Sequence, residues 1–278
     1  MKIKGFKVIG AIALILVFSI LLLYSFNTNT FIPPENNLTY EKSHFENVYG
    51  NTDVDIDRFI SKNPGKRFAF IMGVHPYEWE AHNAFYEAIR QFTLLSEFKG
   101  EIDVYWVHVP YEEGKFYDQG RSTGEISTAS FVLPLLKKEK YDAIFDIHSA
   151  MEGYPYKGDP PYKGGPKWYL YYSPNDESYN LSYNISKSLG WVITLDEDEE
   201  YSVDKGDDYN EDDDRYDIRI LNPMGFSGTP FLVLEWGWCK PESLWKEQKI
   251  IDLNATDPGE YEDKLKHALI FLEKIQNT

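Results

Sequence analysis

Four short and nearly continuous apolar runs constrain the fold of this chain more than any other feature. They cover residues 67–74, 102–109, 142–147 and 230–236. Runs of this length without polar alternation are typical of strands buried on both faces of a sheet. After the first run, apolar residues recur at helical spacing from Ala81 to Leu95. Strands that alternate with helices predict an α/β fold with a mostly parallel, mixed sheet and helices on both faces.

Shorter elements and loops account for the rest of the chain. Helical periodicity predicts further helices over residues 127–138, 176–189 and 257–278. Short apolar segments predict two more strands, over residues 168–172 and 191–195. Glycine, proline or acidic residues predict loops over residues 114–125, 153–167 and 196–217. Asp257 is a good N-cap with Pro258 at the first helical position, so a helix is expected to close the chain.

The first residues predict a membrane anchor. Val8–Phe26 is nearly all apolar, about the ~20 residues that a helix needs to cross a bilayer. Three lysines precede it, so the positive-inside rule places the N-terminus in the cytoplasm. A cleaved signal peptide is the alternative, although no clean small-x-small cleavage site follows. The expected organisation is a cytoplasmic N-terminus over 1–7, a transmembrane anchor over 8–26, a juxtamembrane stalk and lead-in over 27–57, and an extracytoplasmic domain over 58–278.

The charge of the chain restricts its partners. The formal net charge is −17, which argues against nucleic acid or an anionic membrane surface. Residues 196–217 hold thirteen acidic residues against two basic ones, and we expect a solvated loop there. Calcium is the alternative ligand for Asp207–Asp214, because clustered carboxylates suit a hard cation.

Two further patterns concern the compartment. Asn-x-Ser/Thr sequons, typical of glycoprotein surfaces, begin at Asn37, Asn180, Asn184 and Asn254. The only cysteine is Cys239, so no intramolecular disulfide can form.

Polar residues with metal-site spacing follow three of the apolar runs. The motifs are Gly-Val-His75-Pro-Tyr-Glu78, Phe-Asp-Ile-His148-Ser149 and Phe-Leu-Val-Leu-Glu235-Trp236. Ligands of open α/β sheets gather at the carboxyl ends of the strands, where these residues are expected. The i, i+3 spacing of His75 and Glu78 suits two ligands on one helical turn, and His148 is expected to be the third.

Two histidines and one carboxylate are a ligand set of catalytic zinc, which leaves a coordination position open for water. Zinc is the default for such a set, with one ion per chain. A buried carboxylate such as Glu235 is costly unless it is paired or used, and here it is predicted to be the base that handles the proton of that water. The alternatives are a hydrogen-bonded structural histidine at 148 and a structural ion pair at Glu235.

Other candidate residues carry weaker signals. His82 lies four residues after Glu78 and is expected beside the site or at the surface rather than as a ligand. His108 is expected to be structural. Cys239 is expected to be a buried thiol.

The three motifs together resemble those of the zinc carboxypeptidase superfamily, which includes succinylglutamate desuccinylase and aspartoacylase-like deacylases. The resemblance spans about residues 68–237, with the motifs in the same order. It implies that His75, Glu78 and His148 bind zinc and that Glu235 is the general base. It also implies an arginine that polarises the scissile carbonyl or holds a substrate carboxylate.

Only two arginines lie between the first and third ligands, Arg90 in a predicted helix and Arg121 in the glycine-rich loop. Arg121 is therefore predicted to fill the catalytic role. The chain departs from the family in having Gly120 where an Asn often precedes this arginine. No second arginine is well placed, although Arg215 or Arg219 would be a replacement.

These observations predict a membrane-anchored, extracytoplasmic zinc metallohydrolase that cleaves an amide bond. A carboxypeptidase acting on peptides or cell-wall peptides is the first expectation. The alternatives are a zinc-dependent deacylase of N-acyl amino acids and a non-catalytic surface protein that binds glycan or peptide. A calcium-dependent adhesion module, suggested by the acidic loop, is the last.

Overall fold

The computed structural model describes residues 38–110, 118–151, 168–172, 175–189, 192–193, 219–220, 222–225, 227–239 and 258–278. Its strands are β1 (Leu38–Tyr49), β2 (Thr52–Ser61), β3 (Arg67–Met72), β4 (Glu101–His108), β5 (Ala143–Met151), β6 (Trp168–Tyr172), β7 (Val192–Ile193) and β8 (Phe231–Cys239). Its α-helices are α1 (Trp79–Thr93), α2 (Asp118–Ser127), α3 (Leu133–Leu136), α4 (Asp176–Leu189), α5 (Asn222–Gly225) and α6 (Pro258–Asn277). A 3₁₀ turn over Pro76–Glu78 precedes α1, and a π-helical turn over Thr128–Val132 joins α2 to α3.

These strands form one mixed sheet in the order β1-β2-β4-β3-β5-β8-β6-β7. The central strands β4, β3, β5 and β8 are parallel to one another. Antiparallel pairs flank this centre, with β1 and β2 on one side and β6 against β8 on the other. The predicted mixed α/β sheet is confirmed, and its parallel part is the centre that carries the polar motifs.

An aromatic core covers one face of the sheet. Phe70 of β3 and Phe145 of β5 stack with ring centroids 5.2 Å apart. Phe85 of α1 packs on Phe70, and Phe271 of α6 packs on Phe145, at 5.3 Å and 5.2 Å. Trp236 of β8 contacts both helices through these two phenylalanines. Edge-to-face and offset ring contacts of this kind add to the free energy gained by burial, so α1 and α6 are held firmly over the central strands.

An aliphatic core covers the opposite face. Ala69 and Ile71 of β3 point there, because alternate residues of a strand face opposite sides. Val132 and Leu136, from the helical segment after α2, pack on them together with Met224 of α5. Helices therefore lie on both faces of the sheet, as the apolar runs predict.

The N-terminal part of the domain differs from the prediction. The stalk and lead-in predicted over residues 27–57 includes β1 and most of β2, so the predicted boundary at residue 58 falls inside a strand. β1 is an edge strand whose side chains are mostly exposed, which is why it has the polar composition of a stalk. The anchor predicted over residues 8–26 lies outside the described residues. No helix in the described part of the chain is long and apolar enough to span a bilayer.

The predicted loop over residues 114–125 is also wrong in its second half, where α2 begins at Asp118. Gly124, interpreted as a loop residue, lies inside this helix. A Cβ atom at Gly124 would lie 1.9 Å from the carbonyl oxygen of Val74. The glycine is there because the helix backbone passes directly over the residue that precedes His75.

Charged side chains are buried at the end of the sheet where the central strands β3 and β4 begin. Asp103 of β4 is fully buried and accepts hydrogen bonds from Arg58, Arg67 and Tyr141, at 2.9, 2.8 and 2.6 Å. A buried carboxylate needs this number of donors, because its desolvation costs several kcal/mol. The network links β2, β3 and β4 at the end of the sheet opposite the polar motifs.

Candidate metal centre

The sharp turn after β3 places the first motif. Gly73 has a φ of +83°, and a Cβ atom there would lie 2.0 Å from the carbonyl oxygen of Val107. Only glycine fits such a backbone without strain. The chain then turns through Val74 into the 3₁₀ turn, where the amide of Glu78 donates to the carbonyl of His75 at 3.0 Å. This turn brings the two side chains of the motif to the same side.

The second and third motifs lie on neighbouring parallel strands that continue beyond the end of β3. His148 of β5 pairs in register with Glu235 of β8, and a bulge follows between His148 and Ala150. The apolar runs predict these residues at or just past the ends of their strands, whereas β5 and β8 continue to Met151 and Cys239. The motifs still meet at the same end of the sheet. Because β3 ends at Met72, the turn that carries His75 and Glu78 lies beside His148 of the longer strand β5.

Three side chains converge in this place. Nδ1 of His75 lies 3.1 Å from Oε1 of Glu78 and 3.0 Å from Nδ1 of His148. Nδ1 of His148 lies 3.0 Å from Oε2 of Glu78. All three residues are buried, with 2–4% of their surface exposed. Their ligand atoms lie within 4.8 Å of one another, and this is the one such cluster of three or more His, Cys, Asp or Glu residues within the described ranges.

These distances fit a bound metal ion. Zinc binds imidazole nitrogen and carboxylate oxygen at about 2.0–2.2 Å in tetrahedral geometry, so two of its ligand atoms are about 3.3 Å apart. The observed separations of 3.0 and 3.1 Å are close to this value. Two neutral imidazole lone pairs and a carboxylate repel one another unless a cation or a proton lies between them. The donor set therefore suits a divalent ion that accepts nitrogen and oxygen ligands.

Further carboxylates lie beside the opposite nitrogens of both imidazoles. Nε2 of His75 is hydrogen-bonded to Oε1 of Glu125 at 3.2 Å, whereas Nε2 of His148 lies at an ion-pair distance of 3.4 Å from Oδ1 of Asp146. A carboxylate that accepts the far N–H of an imidazole, as Glu125 does for His75, leaves the other ring nitrogen as a lone-pair donor toward a metal. The amide of Ser149 donates to Oε2 of Glu78 at 3.1 Å and so orients the third ligand.

The charges of the cluster shift the pKa values of its members in opposite directions. Burial raises the pKa of Glu78, but the charges of His148 and His75 and their hydrogen bonds outweigh burial and hold it below its usual range. Burial lowers the pKa of His148, but the charges of Asp146 and Glu78 outweigh it and hold that pKa well above its ordinary value. In the metal-free protein a proton on His148 therefore supplies the positive charge that the cluster needs.

Glu235 has the opposite environment to Glu78. Its side chain is only partly buried, but Oε2 is shielded from solvent and has no hydrogen-bond partner among the described residues. Burial, followed by the negative charge of Glu78, raises the pKa of Glu235 to about 8. A carboxylate with a pKa near neutrality can both accept and return a proton, as a general acid–base group must.

Two arginines are tied to one carboxylate beside the cluster. Glu125 is 2% exposed, and it accepts from Nε of Arg121 at 3.3 Å and from Nη1 of Arg219 at 3.0 Å. Nη1 of Arg219 also donates to Oγ of Ser122 at 3.1 Å. Arg121, the arginine predicted to be catalytic, thus lies on α2 beside the candidate metal centre, and its charge lowers the pKa of Glu235.

The other candidate residues lie elsewhere. His82 is buried, and its Nε2 donates to the carbonyl of Ile147 at 2.8 Å. Burial lowers the pKa of His82 to about 4, so it is neutral and supports β5 without being a ligand. Arg90 of α1 pairs with Glu87, and His108 at the end of β4 contacts the surface residue Asp55. Arg215, the acidic stretch 196–217 and the side chain of Cys239 are outside what the structure describes.

Sequence reasoning missed two residues of the site. Asp146 stands two positions before His148, and residues i and i+2 of a strand point to the same face, so the Asp-x-His spacing contains a usable signal. The sequence gives no such signal for Glu125, because the glycines that precede it predict a loop where the structure has a helix. The sequence suggests Arg219 only as a replacement anchor, and the structure places it at Glu125.

Comparison with known proteins finds similar solved structures. No protein-family model and no curated protein matches the sequence. The chain is similar to a succinylglutamate desuccinylase/aspartoacylase from Rhodobacter sphaeroides, with 12% identity and a TM-score of 0.43 over 89% of this chain and 70% of that one. It is also similar to a metallo-carboxypeptidase from Burkholderia cenocepacia, with 12% identity and a TM-score of 0.46 over 85% of this chain and 65% of that one.

A third similar structure is a metallo-carboxypeptidase from Pseudomonas aeruginosa in complex with (2-guanidinoethylmercapto)succinic acid. Identity is 12% and the TM-score is 0.44, over 86% of this chain and 64% of that one. The chain spans less than two thirds of the length of both carboxypeptidases. These similarities are to the two groups of proteins whose motifs the sequence resembles.

Proposed function

We propose that this protein is a metal-dependent hydrolase that cleaves an amide bond, with one zinc ion held by His75, Glu78 and His148. The observation that carries the proposal is the convergence of the three ligand atoms at separations of 3.0–3.1 Å. Three protein ligands leave a coordination position open, as in catalytic rather than structural zinc sites.

When bound, the metal lowers the pKa of a water molecule and polarises the carbonyl of the substrate. Glu235, on the strand next to His148, takes the proton from the attacking water. Its raised pKa then lets it return that proton to the leaving amine. Arg121 lies beside the metal cluster, and its positive charge stabilises the negative charge that develops on the carbonyl oxygen of the substrate.

The arginines favour a substrate with a carboxylate close to the scissile bond. A guanidinium can bind a carboxylate through two parallel hydrogen bonds. Arg121 and Arg219 each contact the carboxylate of Glu125 through one nitrogen, so both guanidinium groups lie close to the site. Peptides with a free C-terminus and N-acyl amino acids both carry this group. We propose a carboxypeptidase first and a deacylase of N-acyl amino acids second, because a site outside the cell meets peptides.

The position outside the cell is itself part of the proposal. It rests on the apolar stretch 8–26 and the lysines before it, which together support a single-pass anchor in the cell membrane.

Zinc loading and turnover together test the function. The zinc-loaded protein is expected to hydrolyse peptides with a free C-terminus, or N-acyl amino acids, and to leave C-terminally amidated peptides intact. Glu235→Ala is expected to abolish turnover while the zinc content stays at one per chain. Turnover in that variant would contradict the role of Glu235. A wild-type protein that binds zinc but hydrolyses neither class would favour the non-catalytic binding protein.

A further inference from the structure

One carboxylate joins the first metal ligand to both arginines of the site. Oε1 of Glu125 accepts from His75 Nε2 at 3.2 Å and from Arg121 Nε at 3.3 Å. Oε2 accepts from Arg219 Nη1 at 3.0 Å. One oxygen of a nearly fully buried carboxylate is therefore shared between an imidazole and a guanidinium, and the other is bound to a second guanidinium.

The backbone fixes Glu125 in this position. Gly124 packs so closely on Val74 that a Cβ atom would lie 1.9 Å from the Val74 carbonyl oxygen. Because Gly124 lies against Val74, the next residue, Glu125, faces His75. Thr128 Oγ1 donates to the carbonyl of Gly124 at 2.8 Å, at the point where α2 passes into the π-helical turn. Turns of π-helix inside α-helices are often found at functional sites.

We propose that Glu125 is a positioning residue for the metal ligand His75, and that the charge of Arg219 limits how strongly Glu125 increases the metal affinity. The proposal rests on the metal site put forward above. A carboxylate that accepts the far N–H of an imidazole orients the ring and makes its other nitrogen a better donor to the metal. A guanidinium on the same carboxylate neutralises part of its charge.

Two charge-removing variants should therefore change the metal affinity in opposite directions. Glu125→Gln keeps the size of the side chain but removes the negative charge behind His75. We expect this variant to bind Zn²⁺ about 10–100-fold more weakly. Arg219→Gln removes the opposing positive charge, and we expect it to bind Zn²⁺ about 2–10-fold more tightly. A residue that only fills space would give a weaker site, or no change, in both variants.

The chain offers a matched control in the Glu87–Arg90 pair of α1, whose Oε2 and Nη1 atoms are 3.5 Å apart. Like the Glu125–Arg219 contact, it joins a glutamate to a partly buried arginine, but it does not touch the metal ligands. Glu87→Gln and Arg90→Gln are expected to keep the Zn²⁺ affinity within about twofold of wild type.

The experiment measures the Zn²⁺ dissociation constant of the full chain and of the four single variants by competition with a chromogenic chelator. Thermal unfolding of each metal-free protein shows whether it is folded. Weaker binding by Glu125→Gln together with tighter binding by Arg219→Gln supports the proposal. If Glu125→Gln does not fold, tighter binding by Arg219→Gln still supports it, and equal or weaker binding by Arg219→Gln overturns it.

Zn²⁺ binding by the wild-type protein separates a failure of the proposed metal site from a failure of the positioning role of Glu125. If wild type binds Zn²⁺ and Glu125→Gln binds it equally well, the positioning role of Glu125 is wrong and the metal site stands. If wild type binds no Zn²⁺, the metal site is wrong and the positioning role is lost with it.

Discussion

The Nδ1 atoms of His75 and His148 lie only 3.0 Å apart, although 73 positions separate the two residues in the sequence. One histidine comes from a turn after β3 and the other from β5, the strand next to it. Two imidazole lone pairs at this distance repel each other unless a positive charge lies between them. Glu78 contacts both nitrogens. The three side chains are a donor set that could hold a divalent metal ion, as proposed above.

The raised pKa of Glu235 predicts a loss of stability as pH rises. The unfolded chain releases this proton near pH 4.5, whereas the folded, metal-free protein holds it until about pH 8. Between these values the folded state binds more protons, so the free energy of unfolding falls with rising pH and stays low above pH 8. Glu235→Gln lacks this loss. We expect the variant to be more stable than wild type at pH 8 by about 2 kcal/mol, and to differ little at pH 4.5.

Chemical denaturation of the metal-free proteins at several pH values measures this difference. Glu87→Gln on α1 is the control, since Glu87 pairs with Arg90 outside the site. A stability difference between Glu235→Gln and wild type that does not grow from pH 4.5 to pH 8 would contradict the assignment.

His82 predicts the opposite pH dependence in acid. Burial lowers its pKa to about 4 in the folded state from an ordinary value of 6.5, so the unfolded chain binds the proton first as pH falls. The stability that neutral His82 provides is complete above pH 6.5 and is lost between pH 6.5 and 4. We expect this loss to be about 2–3 kcal/mol and to be absent from the metal-free His82→Gln variant.

Denaturation at pH 7 and pH 4 measures the acid loss, with the partly exposed His267→Gln as control. His82→Gln should be less stable than wild type at pH 7, because the hydrogen bond to Ile147 is lost. Its zinc content should stay unchanged, since His82 is not a ligand. An equal acid loss in wild type and His82→Gln would show that His82 does not carry it.

Two glycines with similar backbone angles predict very different costs of substitution. Gly73 and Gly228 have φ values of +83° and +72°. A Cβ atom at Gly73 would lie 2.0 Å from a carbonyl oxygen, whereas at Gly228 nothing lies within 4 Å. We expect Gly73→Ala to lose about 3–5 kcal/mol of stability and its metal affinity, and Gly228→Ala to lose about 1 kcal/mol. Thermal unfolding compares them, and equal losses would mean that the close approach to Val107 is not important.

Substitution of Asp103, in the buried network at the end of the sheet opposite the metal cluster, is predicted to lower stability without weakening metal binding. Asp103→Asn leaves Arg58, Arg67 and Tyr141 without their shared charge and should cost about 3 kcal/mol. Asp55→Asn, which removes the partner of the exposed side chains of Lys42 and His44, should cost less than about 1 kcal/mol. Both should keep the wild-type Zn²⁺ affinity. Weaker metal binding by Asp103→Asn would show that the two ends of the sheet are coupled.

The sequence predicts the centre of this fold well, because the central strands are buried on both faces. Their apolar runs stand out, and so do the polar residues that follow them, His75 and His148 among them. β1 was not predicted because, at the edge of the sheet, most of its side chains are exposed, and β2 because its buried residues alternate with partly buried polar ones. Their composition is therefore that of a polar segment, and only the pairing of β1 with β2 and of β2 with β4 shows that they belong to the sheet.

The surroundings of the candidate metal centre were predicted less well than the meeting of His75, Glu78 and His148. That meeting follows from residue types and spacing within short motifs that follow buried strands. Glu125 reaches His75 from another element 50 positions away, through a helix that contains Gly124 for reasons of packing. Local propensity treats that glycine as a break, although tertiary packing makes it part of a helix. Contacts of this kind depend on the fold as a whole.

The most direct test of the account is the metal content of the purified protein after zinc is supplied, measured by elemental analysis. His75→Ala/His148→Ala removes both nitrogen ligands, and His44→Ala/His108→Ala removes two exposed histidines as the matched control. We predict one zinc per chain in wild type and in the control, and none in the His75/His148 variant. No zinc in wild type, or equal zinc in all three proteins, would contradict the proposed metal centre.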